Sequence, residues 1–593
     1  MNITLSCSLI ITLKRKREMA VFSPSESPAI TVKEVDLSGF VPNVQSTTGA
    51  IVGDFRWGPA KIATKVGTEA QLAEVFGSPT STNAVDFLSA AQFLRYSSSM
   101  YVIREITSVA KNATSSSTTV TNVNNKDHWD TVKSAFGADS GDTNVGAWIG
   151  KWAGALGNSL KAEICTAAGF AAWAYKGEFD AAPGTSAYAT ARSGSADECH
   201  VVVIDEDGEI SGTVGTVLER FAFLSMASDA KTSDGSSNYA LEVINSSSEY
   251  VWLAHWDGDL ATMSNAGTAA AGTAFGNPST AITKSLTGGV DSAATGLTTA
   301  EVATGFDLLE DTDTTQVDFL IAPGMASAAD QATVVNDLVG IAGITRKDCI
   351  VVTSPNRSAV VNNSTPVTAS LTTAATFNNS SYLTVDNNYL KVYDKFNDQY
   401  VHIPAASTTA GVMAATDANA APWYSPAGQR RGQYFGITAL SYSPTKAERD
   451  TLYKAGVNPI ANIPGQGILL FGDKTFLNRP SAFDRINVRR LFLVAERAIA
   501  TAARNVMFEF NDEFTRAEFV NIVEPFLREI QGRRGITDFK VVCDSTNNTA
   551  SVVDRNEFIA NIFIKPARSI NYVTLNFVAV RTGVDFEEVV GTV

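Results

Sequence analysis

Residues 467–519, GILLFGDKTFLNRPSAFDRINVRRLFLVAERAIATAARNVMFEFNDEFTRAEF, and 541–590, VVCDSTNNTASVVDRNEFIANIFIKPARSINYVTLNFVAVRTGVDFEEVV, decide how this chain is read. Over 485–505, Leu491, Val494, Ala495, Ala498, Ile499 and Ala502 recur on one face, the period of an amphipathic helix. A second helix is expected to open on a capping box, Thr515-x-x-Glu518, with Phe514 and Phe519 as a hydrophobic staple around it. Its core stripe is Phe519, Ile522, Val523, Phe526, Leu527 and Ile530, and Pro525 is expected to kink it. Strands are expected at 538–543, 557–565 and 569–581. In the last of these, Val573, Leu575, Phe577 and Ala579 face one way. The unit reads helix, helix, strand, strand, then a tail.

Outward from this unit the chain is α/β at both ends. AITVKEVD (29–36) alternates as a strand after a Ser/Pro-rich arm. TTGAIVGDFRWGPA (47–60) is a buried strand closing on a Gly-Pro turn. Thr68 to Gln71 forms a capping box, with Leu72, Val75 and Phe76 as the apolar face and Gly77 as the stop. Residues 83–96 give another helix, and MYVIREI (100–106) a strand. From 286 the pattern resumes: a helix over 300–309, a strand VDFLIAPG (317–324), a helix over 327–342 and a strand CIVVTSP (349–355). Two apolar strands around a helix make a βαβ crossover. Between the two α/β regions, 107–285 mixes Gly-rich turns with short strands. HVVVID-EDG-EISGTV (200–214) predicts a hairpin turning at Asp207-Gly208. Residues 357–410 read as β-like, with a hairpin over Tyr389–His402. The expected divisions are an arm over 1–28, an N-terminal α/β part over 29–106, an insert over 107–285, a βαβ part over 286–356, a β-rich segment over 357–428 and a C-terminal domain over 429–593.

At 593 residues the chain is too long for one core. Its net charge of −15 argues against general nucleic-acid binding. Cys7, Cys165, Cys199, Cys349 and Cys543 are scattered without a CxxC pair, as free thiols of a reducing compartment would be. The four histidines show no zinc-ligand spacing. In residues 1–18 a short apolar run precedes Lys14-Arg15-Lys16-Arg17, the reverse of a secretory leader. Met19 is therefore read as the natural start. No stretch is long and apolar enough for a membrane span, so no membrane insertion is expected.

Chemical motifs fail on inspection. Gly154 to Lys161 lacks both the glycine directly before the lysine and the following Ser/Thr of a phosphate loop. Asp205 to Gly208 hints at a calcium loop, but Val214 falls where the bidentate Glu belongs. Glu587 and Glu588 are adjacent and would point to opposite faces of a strand. No metal, cofactor or catalytic residue is expected. Charge is informative elsewhere: residues 428–505 hold twelve Lys/Arg against five acids, a local excess of +7. Arg490, Arg497 and Arg504 are spaced by seven beside the apolar face of the helix, with Arg489 adjoining. The stripe is either a solvated face or a docking surface for an acidic partner.

The chain resembles the T-even-like and cyanophage-like contractile tail sheath proteins of myovirus-type bacteriophages. The resemblance is carried by WYSPAGQRRGQ (423–433), ILLFGDKT (468–475), SAFDRINVRRLF (481–492), VVCDSTNNT (541–549), VVDRNEF (552–558) and PARSINYVTLNFVA (566–579). It returns in TTGAIVGDFRWGPA, VFGSP (75–79) and DCIVVTSP (348–355). It implies an α+β / α/β multidomain protein, with an inner α/β domain built from N- and C-terminal parts and inserted β-rich outer domains. It implies a structural subunit and not an enzyme. Such subunits stack as six-membered rings around a tail tube in a metastable extended state, then contract to drive the tube through the host envelope.

The partners implied are further copies of the chain, the tube protein, and the baseplate and terminator proteins. The location implied is the virion, after assembly in the host cytoplasm. The basic patch Arg489, Arg490, Arg497 and Arg504 would face the tube. Terminal strands carrying Ile30, Val32 and Val35, and Val584, Phe586, Val589 and Val590, would complete neighbours' sheets. The sheath of a phage-tail-like bacteriocin or other contractile injection system is the alternative. A surface adhesin or glycan-cleaving tail protein would need tandem β-repeats or carboxylate clusters, and neither is found.

Overall fold

The computed structural model describes residues 46–115, 122–136, 147–256 and 260–571. The strand residues Ile30, Val32, Val35, Val584, Phe586, Val589 and Val590 lie outside the described residues, as does most of 569–581.

The central body is a seven-stranded sheet. Its order is Val457–Asn458, Leu383–Asp386, Ile350–Thr353, Phe319–Ile321, Gly49–Gly53, Met100–Arg104 and Thr64–Val66. All neighbours are parallel except the last strand. Parallel strands are covered on both faces, which is why GAIVG and IVVT read as unbroken buried runs. Alternate residues part cleanly. Ile51, Val102, Phe319 and Ile350 pack with helices Ala84–Leu94 and Ala406–Asn419. Ala50, Ile103, Leu320 and Val351 pack with helices Thr299–Asp307 and Ala328–Gly340. The βαβ pairing expected for 317–355 is present, with Phe319 level with Ile350.

The sheet crosses two of the expected divisions. Strands on either side of residues 356 and 428 are neighbours in it, so 286–356, 357–428 and the start of 429–593 form one body with the N-terminal strands. The β-like reading of 357–410 also needs correction. The hairpin Tyr389–Asp394 with Gln399–Pro404 is there, but Pro366–Ala374 and Ala406–Asn419 are helices. The second, ASTTAGVMAATDAN, has no polar face to read, because nearly all of it is buried, Ser407, Thr408 and Thr409 included.

The insert carries a four-stranded antiparallel sheet, ordered Ile282–Ser285, Leu160–Cys165, Glu198–Asp205, Thr216–Ser225. Beside it lies a three-stranded sheet of Asn112–Thr114, Trp148–Ala153 and Val251–Leu253. The two share one apolar core. The hairpin expected at Asp207-Gly208 forms between longer strands, and its connection runs over 206–215. Asp205 explains the difference. Its buried carboxylate accepts the backbone N–H groups of Gly208, Ile210 and Ser211 and the hydroxyl of Ser159, and so folds the loop over itself.

The insert meets the central sheet at Arg104, whose side chain is buried. Its guanidinium donates to the carbonyls of Phe55 at 2.7 Å, Gly58 at 2.8 Å and Arg56 at 3.4 Å, and across the boundary to Ala153 at 2.6 Å. Gly154 follows at φ 142° and sits so close to the carbonyl of Arg56 that a Cβ would lie 2.7 Å from it.

The C-terminal unit follows the reading in its two helices and first two strands, with a short helix Ala550–Asp554 between the strands that the reading lacks. Helix Ile486–Ala503 packs on helix Glu513–Gly532 through Leu491, Phe519, Val523, Leu527 and Ile530. Strands Ile536–Val542 and Asn561–Pro566 form an antiparallel hairpin. The start of the second helix is corrected. Asp512 is the cap, accepting the N–H of Thr515 at 2.9 Å, so the helix begins two residues before Thr515. Phe519 is buried but Phe514 is 73% exposed, and no staple forms. The helix runs through Pro525 to Gly532. Among the described residues, no helix is long and apolar enough to cross a membrane.

Candidate functional site

The arginines of helix Ile486–Ala503 project from the side opposite its partner helix. Arg490 is buried and forms a two-pronged ion pair with Asp417 at the end of helix Ala406–Asn419. It also donates to the carbonyls of Met413 at 2.9 Å and Ser46 at 3.1 Å, and its plane lies over the Phe319 ring. Burial pushes the Asp417 carboxyl up to about 6, against the pull of Arg490.

Two turns on, Arg497 pairs with Asp318 at 2.5 Å. It also donates to the carbonyls of Val317 at 3.1 Å and Asp348 at 2.7 Å. Burial raises the Asp318 carboxyl, with Arg497 opposing. That carboxylate also accepts the N–H of Thr48. Arg489 is buried too, stacked between Tyr382 and Phe483 and donating to Ser381 Oγ at 2.6 Å. Only Arg504 is exposed, 3.2 Å from an equally exposed Asp313.

The stripe thus has neither of the two characters expected of it. Arg489, Arg490 and Arg497 are neither a solvated face nor a free docking surface; they bolt the C-terminal unit to the parallel sheet and to the segment at Ser46–Thr48. Heptad spacing fixes that such residues share a face, but not what the face meets. Asp318 and Asp417 lie 179 and 73 residues from their arginines, beyond any local pattern.

The remaining positive charge gathers elsewhere. A cavity of about 660 Å³ opens beside the hairpin of the C-terminal unit. Trp423, Tyr424, Tyr453 and Phe471 supply aromatic walls, and Arg431, Lys446, Arg449, Arg534 and Arg568 line it together with Asp450 and Asp473. Asp473 is taken by Arg485 at 2.9 Å. The motif WYSPAGQRRGQ carries part of this wall, so its residues were visible in the sequence but their convergence was not. Two more features are exposed. The hairpin Ile536–Val542 with Asn561–Pro566 is a two-stranded sheet with no third strand among the described residues. The turn between the two long helices presents Met507, Phe508, Phe510 and Phe514 to solvent.

No group of three or more His, Cys, Asp or Glu among the described residues is arranged to hold a metal ion. Cys165, Cys199, Cys349 and Cys543 are free and buried, and burial raises each thiol above its ordinary range.

Two family models match this arrangement: the phage tail sheath protein central domain over residues 297–476 and the phage tail sheath C-terminal domain over 478–579. The tail sheath protein of Enterobacteria phage T4 is 32% identical across 95% of this chain and 99% of its own length. The chain belongs to the phage tail sheath family. The tail sheath protein of Vibrio phage KVP40 is 43% identical over 48% of this sheath chain, an alignment spanning 45% of the KVP40 protein. A sheath tail protein of Listeria innocua, 13% identical, shares the fold with a TM-score of 0.54 over 89% of this chain and 93% of its own. The family models thus cover the central sheet from 297 onward and the C-terminal unit, while the insert falls outside both.

Proposed function

We propose that this sheath subunit polymerises as stacked six-membered rings around a tail tube, is held there in an extended state, and contracts to drive the tube through the host envelope. Its role is mechanical and it is not an enzyme. Its partners are its own copies, the tube, the baseplate and the terminator, and it ends in the virion after assembly in the host cytoplasm. Free energy stored at assembly drives contraction, as a kinetically trapped lattice relaxes to a more stable one.

The observation that carries this reading is the hairpin Ile536–Val542 with Asn561–Pro566. Its strands pack against helix Glu513–Gly532, but their outer edges offer rows of backbone N–H and C=O groups with no partner strand among the described residues. An extended segment from a neighbouring subunit satisfies such an edge whatever its side chains. Residues 30–36 and 584–590 are the donors we assign. A strand link of this kind survives rotation of the bodies it joins. The buried Arg490 and Arg497 pairs keep each body rigid while the links flex. Of the basic patch, Arg504 is the member left to meet the tube.

Negative-stain microscopy of the purified chain tests the reading: hollow, helically striated tubes are expected. A chain lacking 584–593 should remain a folded monomer that forms none. Normal tubes from the truncated chain would refute strand donation.

A further inference from the structure

The turn between helices Ile486–Ala503 and Glu513–Gly532 inverts the usual distribution of side chains. Phe508 is fully exposed and Phe510 is 83% exposed. Monomers seldom leave adjoining large aromatics in water without a use for them. The turn is also held in shape. Phe508 sits at φ 71°, in the left-handed region, and backbone bonds from Glu509 to Val506 at 3.3 Å and from Asp512 to Phe510 at 2.9 Å close the turn on either side of it. Asn511 donates to the carbonyl of Glu557 at 2.7 Å and accepts from Arg516 at 3.1 Å, while Asp512 caps the next helix. The aromatics are therefore presented on a fixed loop. Glu509, Asp512 and Glu513 make that loop acidic, with no cation between 505 and 515.

The basic cavity is its complement. It is aromatic where the turn is aromatic, and five cations line it against two acids, one of which is already paired. Its volume suits bulky side chains, and Phe471 and Ile570 at its edge are exposed. No residue of 505–516 lines it, so the turn does not fill the cavity of its own chain.

We propose that the acidic aromatic turn 507–514 of one copy seats in the basic aromatic cavity of a second copy. The inference rests on the sheath reading, because it requires the chain to polymerise. Two different patches of one chain meet, so the contact is head-to-tail. Such a contact runs on into a ring or an open helix and does not stop at a two-fold dimer. Buried aromatic anchors ringed by charge are the usual centres of binding energy. The charges set the register of the two copies.

The test uses the full chain, with polymerisation followed by sedimentation and microscopy. Phe508→Ala with Phe510→Ala removes no core residue, and its melting curve should match the wild type. Its critical concentration for polymerisation should rise at least about tenfold, the loss of two interface aromatics. Glu509→Arg alone and Arg568→Glu alone should each raise it as well, and the two together should return it toward the wild-type value. A chain carrying Phe508→Cys and Ile570→Cys should give a ladder of covalent multimers on mild oxidation. A double-alanine chain that polymerises at the wild-type concentration, or a cysteine pair that forms no multimers within assembled polymers, overturns this contact and leaves the sheath reading standing. A wild-type chain that forms no helical polymer overturns both.

Discussion

Helix Ile486–Ala503 and the turn that follows it treat polar and apolar groups in opposite ways. The helix buries its arginines: Arg490 is 4% exposed and sits on Asp417 and two carbonyls. The turn, a few residues on, puts Phe508 and Phe510 into water. A buried ion pair is a poor source of net stability but is costly to break from one side, because the partner is left charged and desolvated. It therefore fixes one geometry. An exposed aromatic adds little to the subunit and much to a partner. The charged side chains define the rigid body, and the apolar ones define what that body can grasp.

The comparison breaks most sharply at Arg490. Arg490→Ala should destabilise the subunit by about 3–5 kcal/mol in chemical denaturation. Replacing the pair together, Arg490→Met with Asp417→Leu, should cost far less, within about 1–2 kcal/mol. If the single and double variants lose equal stability, the arginine is not locking the body through its acid.

Next in size is pH dependence. Asp86 is buried without a cation: burial pushes its carboxyl up to about 7, while Asp54, whose N–H it accepts at 2.9 Å, is raised to about 6. The folded chain holds these protons more tightly than the unfolded one. Their contribution is fully present below about pH 4 and is lost as pH rises toward 7. Asp86→Asn should flatten that decline, gaining of order 1–3 kcal/mol at pH 8 relative to pH 4. Denaturation midpoints at the two pH values measure it; an unchanged slope would assign the decline to other groups.

The smallest effect belongs to Arg504. It is 70% exposed and its ion pair is screened, so Arg504→Glu should shift stability by less than about 0.5 kcal/mol. A larger loss would place it with Arg490 in the body rather than at the surface.

What the sequence made legible was local. The helix Glu69–Phe76 opens on Thr68, whose side chain accepts from Gln71, and stops at Gly77 at φ 73°, as its residues predict; the return arm of the expected box accepts from Gly67 and not from Thr68. The parallel strands were legible because burial on both faces leaves an unbroken apolar run. Helix Ala406–Asn419 was not, since a helix of small residues enclosed on all sides has no period to detect. Thr515 fits a cap by local pattern, but the helix starts earlier, on Asp512, and the staple fails because the turn carries Phe514 outward into water. The arginine joint required pairing across distant segments, which one sequence does not specify. The aromatic turn carries a signal in its sequence: FEFNDEF (508–514) sets phenylalanines among three acids, and a buried connection would not carry unpaired acids.

Arg104 bears on a different matter, the freedom of the insert to vary. All four of its acceptors are main-chain carbonyls, three on the loop that follows strand Gly49–Gly53 and one, at Ala153, on the insert. A carbonyl survives any substitution of its own side chain. At Arg104 the joint works as a socket that asks of the inserted domain a backbone oxygen, while Gly154 beside it and the Asn125 side chain on the Ala60 carbonyl ask for particular residues. Side chains at 107–285 away from these contacts can change while the Arg104 grip on the main chain stays in place.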